Sequence, residues 1–441
     1  MREISRKDFL KHSALGFAGL SFIPSLTQAG EKENKMRRPT EEKRNYTLKN
    51  VRLETGFDYR NDEIVGTKTE LFSIEIANGK IKKISQDQTD ASAIDMEGLL
   101  MLPSFRDMHI HLDKTLYADE WRAVSRSGGV KDMIALEQRI LPEMLKKATY
   151  KAEKLIELLQ SYGSAFARSH VNIEPTSKLD SLRNLKVALE HKKDTFEAEL
   201  VAFPQHGLYY TDSLPYMKEA AKMDIDFIGG LDPTTIDGAM ERSIDTTIQL
   251  ALDHAKGIDI HLHESGKTGL ETIRYVLSKV NENPTLKGKT YISHAFALGR
   301  LDNAQQERIA EELAAAQVGI ISTVPFGGLV MPIPTLLKHN VKIMTGNDSI
   351  VDHWNTMGTG SVLQKANLAA QLYGQVTEFG LSRMLKLATA GPVPLNDNGT
   401  QQWPKVGDEA SLVLIEASCS AEAVSRMSPV RSLVHKGNIV Y

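Results

Sequence analysis

The stretch Leu99-Leu-Met-Leu-Pro-Ser104-Phe-Arg-Asp107-Met-His109-Ile-His111-Leu-Asp113-Lys114 opens the part of the chain that decides its architecture. A short apolar run gives way to a polar segment carrying two histidines two positions apart. The same texture recurs at Ser164–Asn172, Glu199–Phe203, Asp226–Gly230, Ile258–His263, Lys289–His294, Val318–Thr323 and Val341–Thr345, with helix-length patterns between. Counting Leu99–Ser104, eight such runs follow one another. Strands this apolar are buried on both faces, which implies a parallel sheet covered by helices. Eight strand–helix units are the number that closes a (β/α)8 TIM barrel. An α/β chain with this barrel over residues 104–394 is therefore expected, with apolar stripes such as Leu155–Leu159 packing on it.

Outward from the barrel the texture turns to short β strands. Tyr46–Leu53, Glu70–Ala77 and Lys80–Ser85 precede it, and Asn78-Gly79 between alternating apolar positions is a hairpin signal. Ala410–Glu416 and Ser432–Val440 follow it. The two β-rich ends, residues 46–103 and 395–441, are expected to pair as one small composite β-sandwich. Farther out, residues 1–12 are net basic, Ser13–Leu26 form an apolar run, and Thr27-Gln28-Ala29 offers small residues for cleavage. That layout predicts an export signal over residues 1–29 and a periplasmic protein, a short amphipathic or buried helix being the alternative. Ser5-Arg6-Lys7-Asp8-Phe9-Leu10-Lys11 resembles the twin-arginine export motif, with Lys7 in place of the second arginine. Residues 30–45, almost all charged or polar, read as a flexible linker.

Composition narrows the function. The chain has 441 residues, and 53 Lys+Arg against 56 Asp+Glu leave a net charge of −3. Without a basic excess or stripe, nucleic acid is not expected as the main partner. No apolar run reaches the roughly 18 residues of a spanning helix, so no membrane span is expected in the mature chain. The lone Cys419 excludes a disulfide framework and any CxxC site, so a metal site must be built from His and carboxylates. A small-molecule substrate is expected, and a homo-oligomer is compatible with the sequence.

Catalytic groups of such a barrel come from the C-terminal ends of its strands. Those ends carry His109 and His111, Gln205 and His206, Asp232, His261 with His263 and Glu264, His294, and Asn347-Asp348. His109 and His111, two apart on a strand, point to one face and make half of a divalent metal site. A third imidazole from strand five and a carboxylate from strand eight complete an N3O set with room for water, as in a catalytic site. A metal there would lower the pKa of that water toward 7 and yield hydroxide at neutral pH.

Phe105-Arg-Asp-Met-His109-Ile-His111-Leu-Asp-Lys-Thr115, Phe203-Pro-Gln205, His261-Leu-His-Glu264, Ser293-His294 and Asn347-Asp348-Ser-Ile-Val-Asp352-His-Trp354 resemble the amidohydrolase superfamily. Within it they are similar to the cytosine deaminase-like branch, which includes triazine-ring hydrolases. The resemblance runs from about Tyr46 to the C-terminus with every motif in order. It implies one divalent metal ion, zinc or iron, held by His109, His111, His261 and Asp348. It makes Glu264 the proton shuttle and His294 the residue orienting the attacking hydroxide, beside Asp348. Gln205 would contact the substrate's amide edge and Trp354 line the pocket.

Each position has a second reading. His263 shares a face with His261 and could be the ligand instead; Glu264 could be a loop carboxylate and His294 a core histidine. His170, mid-strand, reads as structural, and His206 as exposed to the mouth, where it could touch substrate. Asp232, before Pro233, reads as holding its turn. Strand four ends in Gly229-Gly230 with no lysine to bridge two metals, which argues for one metal. Ser349 stands where the cytosine deaminase pattern carries a second acidic residue, which argues against cytosine itself. The reaction expected is hydrolysis of a C–N bond in a small cyclic amidine or aminated heterocycle. Ring opening or N-dealkylation of triazine- or pyrimidine-like substrates is the alternative within enzymes. An exported protein that binds a heterocycle without turnover is the alternative outside them.

Overall fold

A computed structural model describes residues 45–124 and 128–441. The expected export signal at 1–29 and the linker up to 44 lie outside the described residues. The first strands are β1 (Tyr46–Arg60), β2 (Glu63–Ala77), β3 (Lys80–Ser85), β4 (Ile94–Asp95) and β5 (Leu100–Pro103). β2 turns into β3 through Asn78 and Gly79, whose φ of 52° and 76° are both positive, as a tight hairpin turn demands.

Eight parallel strands follow: β6 (Phe105–Ile110), β7 (Ser164–Asn172), β8 (Glu197–Phe203), β9 (Phe227–Leu231), β10 (Gly257–His261), β11 (Thr290–Ser293), β12 (Val318–Ser322) and β13 (Ile343–Thr345). They pair in sequence order, and a parallel bridge between Ile110 and Asp348 joins the last strand's end to the first. The result is a (β/α)8 barrel. Met108, Val201, Phe227, Tyr291, Ile321 and Met344 fill its interior. Leu155, Ile156 and Leu159 lie buried in the larger core between strands and helices, as their stripe predicted.

The chain ends with β14 (Leu412–Ile415), β15 (Val430–His435) and β16 (Asn438–Ile439). These join the N-terminal strands in one sheet, ordered β16-β15-β14-β5-β1-β2-β3, with β4 against β1. The sheet curls: Lys80 bridges Glu409, and Leu48, Ile74, Ile81, Met101, Leu412 and Val434 share its core. One expectation is corrected. Leu99–Ser104 supplies β5, which pairs with β14 in this end sheet, and the barrel begins one strand later, at Phe105. Both strands are buried and only Ser104 separates them, so their composition reads as one run.

Gly346 allows the barrel to close on its site. A Cβ there would overlap the backbone N and O of His109. Gly346→Ala is therefore expected to destabilise the protein by about 1–3 kcal/mol or more, since a backbone cannot step aside. Thermal melting with metal analysis checks this; an unchanged melting point and metal content would contradict the close fit.

Candidate active site

Four strand ends converge. His109 lies in β6 and His111 just past it; His261 ends β10, His294 follows β11, and Asp348 follows β13. One ligand atom each from His109, His261, His294 and Asp348 lies within 4.8 Å of all the others. His111 Nε2 is 3.3 Å from Asp348 Oδ1 and 3.4 Å from His261 Nε2, and His109 Nε2 is also 3.3 Å from Asp348 Oδ1. His294 and Asp348 sit at φ of 68° and 66°, left-handed conformations that non-glycine residues adopt at a cost and that cluster at functional sites.

The tautomers of the first pair follow from their neighbours. Ser293 Oγ donates to Asp259 Oδ1 at 2.6 Å, so at its 2.9 Å contact with His109 Nδ1 it accepts. His111 Nδ1 meets the His170 carbonyl at 3.1 Å, and a carbonyl only accepts. Both rings therefore carry their proton on Nδ1 and turn an Nε2 lone pair toward Asp348. Such outer partners are what orients metal-ligating imidazoles. Asp259 is held in turn by Arg168 Nη1 at 3.0 Å inside the barrel.

These donors fit a divalent ion. His109 Nε2 is buried and makes no hydrogen bond although Asp348 is close, and both ring nitrogens of His294 are buried without partners. A buried polar atom left unpaired is costly, and a cation at the common centre would satisfy several at once. Burial pushes the His111 imidazole down to about 4, with the Lys114 charge adding to it. Burial, then neighbouring imidazoles, holds His261 and His294 well below the usual range. Burial opposes ionisation of Asp348, but the facing imidazoles, His294 first, keep its carboxyl well below the usual range. Neutral imidazoles around a carboxylate are the ligand forms a metal needs.

The other expected residues divide. His261 is in the cluster, stacked on Phe203 at 3.9 Å, whereas His263 Nδ1 pairs with Asp232 Oδ2 at 2.9 Å. Asp232 Oδ1 accepts the backbone N–H of His263 and of Glu264, so its side chain ties the end of β9 to the segment after β10 rather than bracing its own turn. Glu264 is buried, but its hydrogen bonds go elsewhere than the imidazoles: Oε1 accepts from Thr234 and Thr235 N–H at 2.8 and 2.7 Å, and Oε2 from Thr272 Oγ1 at 3.2 Å. Gln205 Oε1 accepts from Lys114 Nζ. Trp354 donates from Nε1 to Glu137 Oε2 at 2.8 Å and packs on an apolar patch of Ile134, Phe203, Leu231 and Ile236. His170 is buried with both nitrogens unpartnered, its ring 4.0 Å from that of His109. His206, expected exposed at the mouth, is fully buried; Glu174 and Glu137, at 3.1 and 3.7 Å, draw it in.

A buried charge cluster beside the metal donors was not anticipated. The helix Val130–Leu145 lowers Glu137 to complete burial, where it meets His353 Nε2 at 3.0 Å, Lys114 Nζ at 3.7 Å, Asn172 and Trp354. Burial works against its charge, but Lys114 and then His353 hold Glu137 well below the carboxylate range. Burial also works against the His206 imidazolium, yet Glu137 and Glu174 push it up to about 9. Removing one member of a buried ion cluster leaves the others uncompensated, so Glu137→Gln is expected to cost about 3–5 kcal/mol. His206 adds a pH signature. Its folded-state pKa lies above the ordinary value, so its stabilisation is full below about 6.5 and is lost as pH rises through about 9. Denaturant unfolding from pH 6 to 10 checks both: wild type should lose stability between about pH 6.5 and 9, and His206→Asn should flatten that loss.

The amidohydrolase family description matches residues 217–441. An uncharacterised protein of Escherichia coli K12, YahJ, is 50% identical over 90% of this chain and 87% of its own length. N-isopropylammelide isopropyl amidohydrolase of Pseudomonas sp. ADP is 25% identical over 85% of this chain and 94% of its own. The solved N-isopropylammelide isopropylaminohydrolase of Burkholderia multivorans superposes with a TM-score of 0.78 at 26% identity, covering 90% of this chain and 98% of that one. The 5-methylcytosine deaminase of Klebsiella pneumoniae does so with 0.74 at 25%, covering 90% and 97%. Barrel, strand-end imidazoles and these matches agree: the chain belongs to the amidohydrolase family, on the side of its cytosine deaminase-like branch.

Proposed function

We propose that this protein hydrolyses a C–N bond of a small aminated heterocycle, with one divalent ion held by His109, His111, His261 and Asp348. The observation that carries the reading is the convergence of buried imidazoles on one carboxylate at the strand ends of the barrel. An ion bound there supplies an activated water for hydrolysis. His294, in the same group, orients that water and accepts a hydrogen bond from it. Glu264 carries a proton to the ring nitrogen and on to the departing amine, exchanging its contact with Thr272 for one to substrate. Gln205 and Trp354 hold the ring, and Ile134 of the helix Val130–Leu145 shares an apolar patch with Phe203, Leu231 and Trp354.

A second reading within the same chemistry is release of an alkylamine. Two of the relatives are named for action on N-isopropylammelide, and Ser349 supplies no second carboxylate to receive a ring amino group. The test is elemental analysis of the purified protein followed by a screen of aminated and N-alkylated pyrimidines and triazines for ammonia and amine release. One equivalent of metal with release of either amine supports the proposal. Rings recovered unchanged after long incubation with metal-loaded protein would favour a binding protein instead.

A further inference from the structure

Lys114 has only 1% of its surface exposed, and its pairing with Glu137 does not use up its donors. Its Nζ donates to Gln205 Oε1, stands 3.7 Å from Glu137 and lies 5.5 Å above the Trp354 ring. An ammonium has three donors and no acceptor, so whichever way the Gln205 amide is drawn, its oxygen must face Lys114. The Nε2 group is then turned away from Lys114, and it makes no hydrogen bond among the described residues. The acceptors nearby are taken or sealed from solvent: Asp113 Oδ1, Asn172 Oδ1 and Asp352 Oδ2 have no partner among the described residues but are fully buried. Glu137 is shared by Asn172, Trp354, His353 and Lys114, and the only polar atom of Trp354 is committed to Glu137.

The consequence is a wall that offers donors and exposes no free acceptor. A neutral ring that turns an N–H toward this wall leaves that N–H unpaired, at the cost of burying a polar group without a partner. A ring edge of oxo groups and a deprotonated nitrogen meets it with acceptors only, and hydrogen bonds to a charged group are the stronger kind. We propose that Lys114 is a specificity-determining residue that fixes the Gln205 amide so that the site selects anionic, oxo-substituted azaheterocycles over neutral ones. This inference rests on the heterocycle-hydrolase reading above and names its substrate class more closely.

The test uses two ring probes that need no turnover. Barbiturate is an anionic trioxo pyrimidine at neutral pH, and uracil is a neutral dioxo one. Binding of each to the full-length, metal-loaded protein is measured by calorimetry. Wild type is expected to bind barbiturate at least ~10-fold more tightly than uracil, the order of one charge-assisted hydrogen bond. Lys114→Met should bring the two within about 3-fold by weakening barbiturate alone, at unchanged metal content. Gln205→Glu tests the same wall without disturbing Glu137: its carboxylate faces Lys114, turns only oxygen to the ring, and should also abolish the preference. Equal weakening of both probes would mark a structural role and overturn the inference. So would a wild type that binds neither probe or favours uracil. A protein that prefers barbiturate but releases no amine from any ring would sink the hydrolase reading and leave the donor wall standing.

Discussion

Asparagine in place of Asp348 is expected to remove the bound divalent ion and the turnover together. Asp348 is the one carboxylate in a group of imidazoles, two of which, His261 and His294, burial keeps neutral, so it brings the only negative charge to the donor set. Its Oδ1 stands 3.3 Å from Nε2 of both His109 and His111, and their Nδ1 protons are committed to Ser293 and to the His170 carbonyl. Neither ring can therefore compensate by changing tautomer. Loss of an outer partner of a metal ligand already costs ~10–100-fold in affinity or activity, so loss of a ligand should exceed that range. Asparagine is the suitable replacement because residue 348 sits at φ of 66°, a conformation asparagine tolerates well. The backbone bonds from Asp348 N to His109 O and from His111 N to Asp348 O can then persist. Metal content per chain and kcat/KM on an active ring are the measurements, with chelation of wild type as the parallel. Full metal and activity within a few-fold would place the chemistry elsewhere.

Part of this site is legible in the sequence and part is not, for physical reasons. His109 and His111 declare themselves because strand side chains alternate, so two residues two apart share a face whatever surrounds them. The eight runs declare the barrel because a parallel sheet buried on both faces leaves no polar position to disguise it. The boundary at Ser104 fails that logic: β5 and β6 are both buried, and pairing with β14, about 310 positions on, decides which sheet each joins. Glu137 is hidden for a similar reason. It reads as one more charge on an amphipathic helix, and only Trp354, 217 positions away, together with His353 and Lys114, makes it interior. His206 misleads in the opposite sense. A histidine after a strand end reads as facing the mouth, but two carboxylates outweigh its desolvation and draw it inside. Arg168 and Asp259 carry no motif at all; their connection through Ser293 to His109 exists only once β6, β7, β10 and β11 face one another in the closed barrel.

Glutamine in place of Glu264 separates two roles that this carboxylate could fill, because the substitution spares one and removes the other. As found, Glu264 binds the turn after β9: Oε1 accepts from the N–H of Thr234 and Thr235 and from Thr235 Oγ1, and Oε2 accepts from Thr272 Oγ1. A glutamine oxygen can accept the same two N–H groups, and its NH2 can donate to the Thr272 hydroxyl, which accepts as readily as it donates. The turn, the fold and the metal donors should all survive. What glutamine cannot do is take up a proton and release it. Proton transfer by a placed carboxylate contributes typically ~10²–10⁴-fold, so kcat is expected to fall by that much while metal content and melting hold. KM should change little, since ring binding is assigned to Gln205, Lys114 and Trp354. Wild-type turnover in Glu264→Gln would mean that the carboxylate only braces the turn. The proton would then have to travel through His263, which stands beside it, paired with Asp232 and 4.3 Å from the His294 ring.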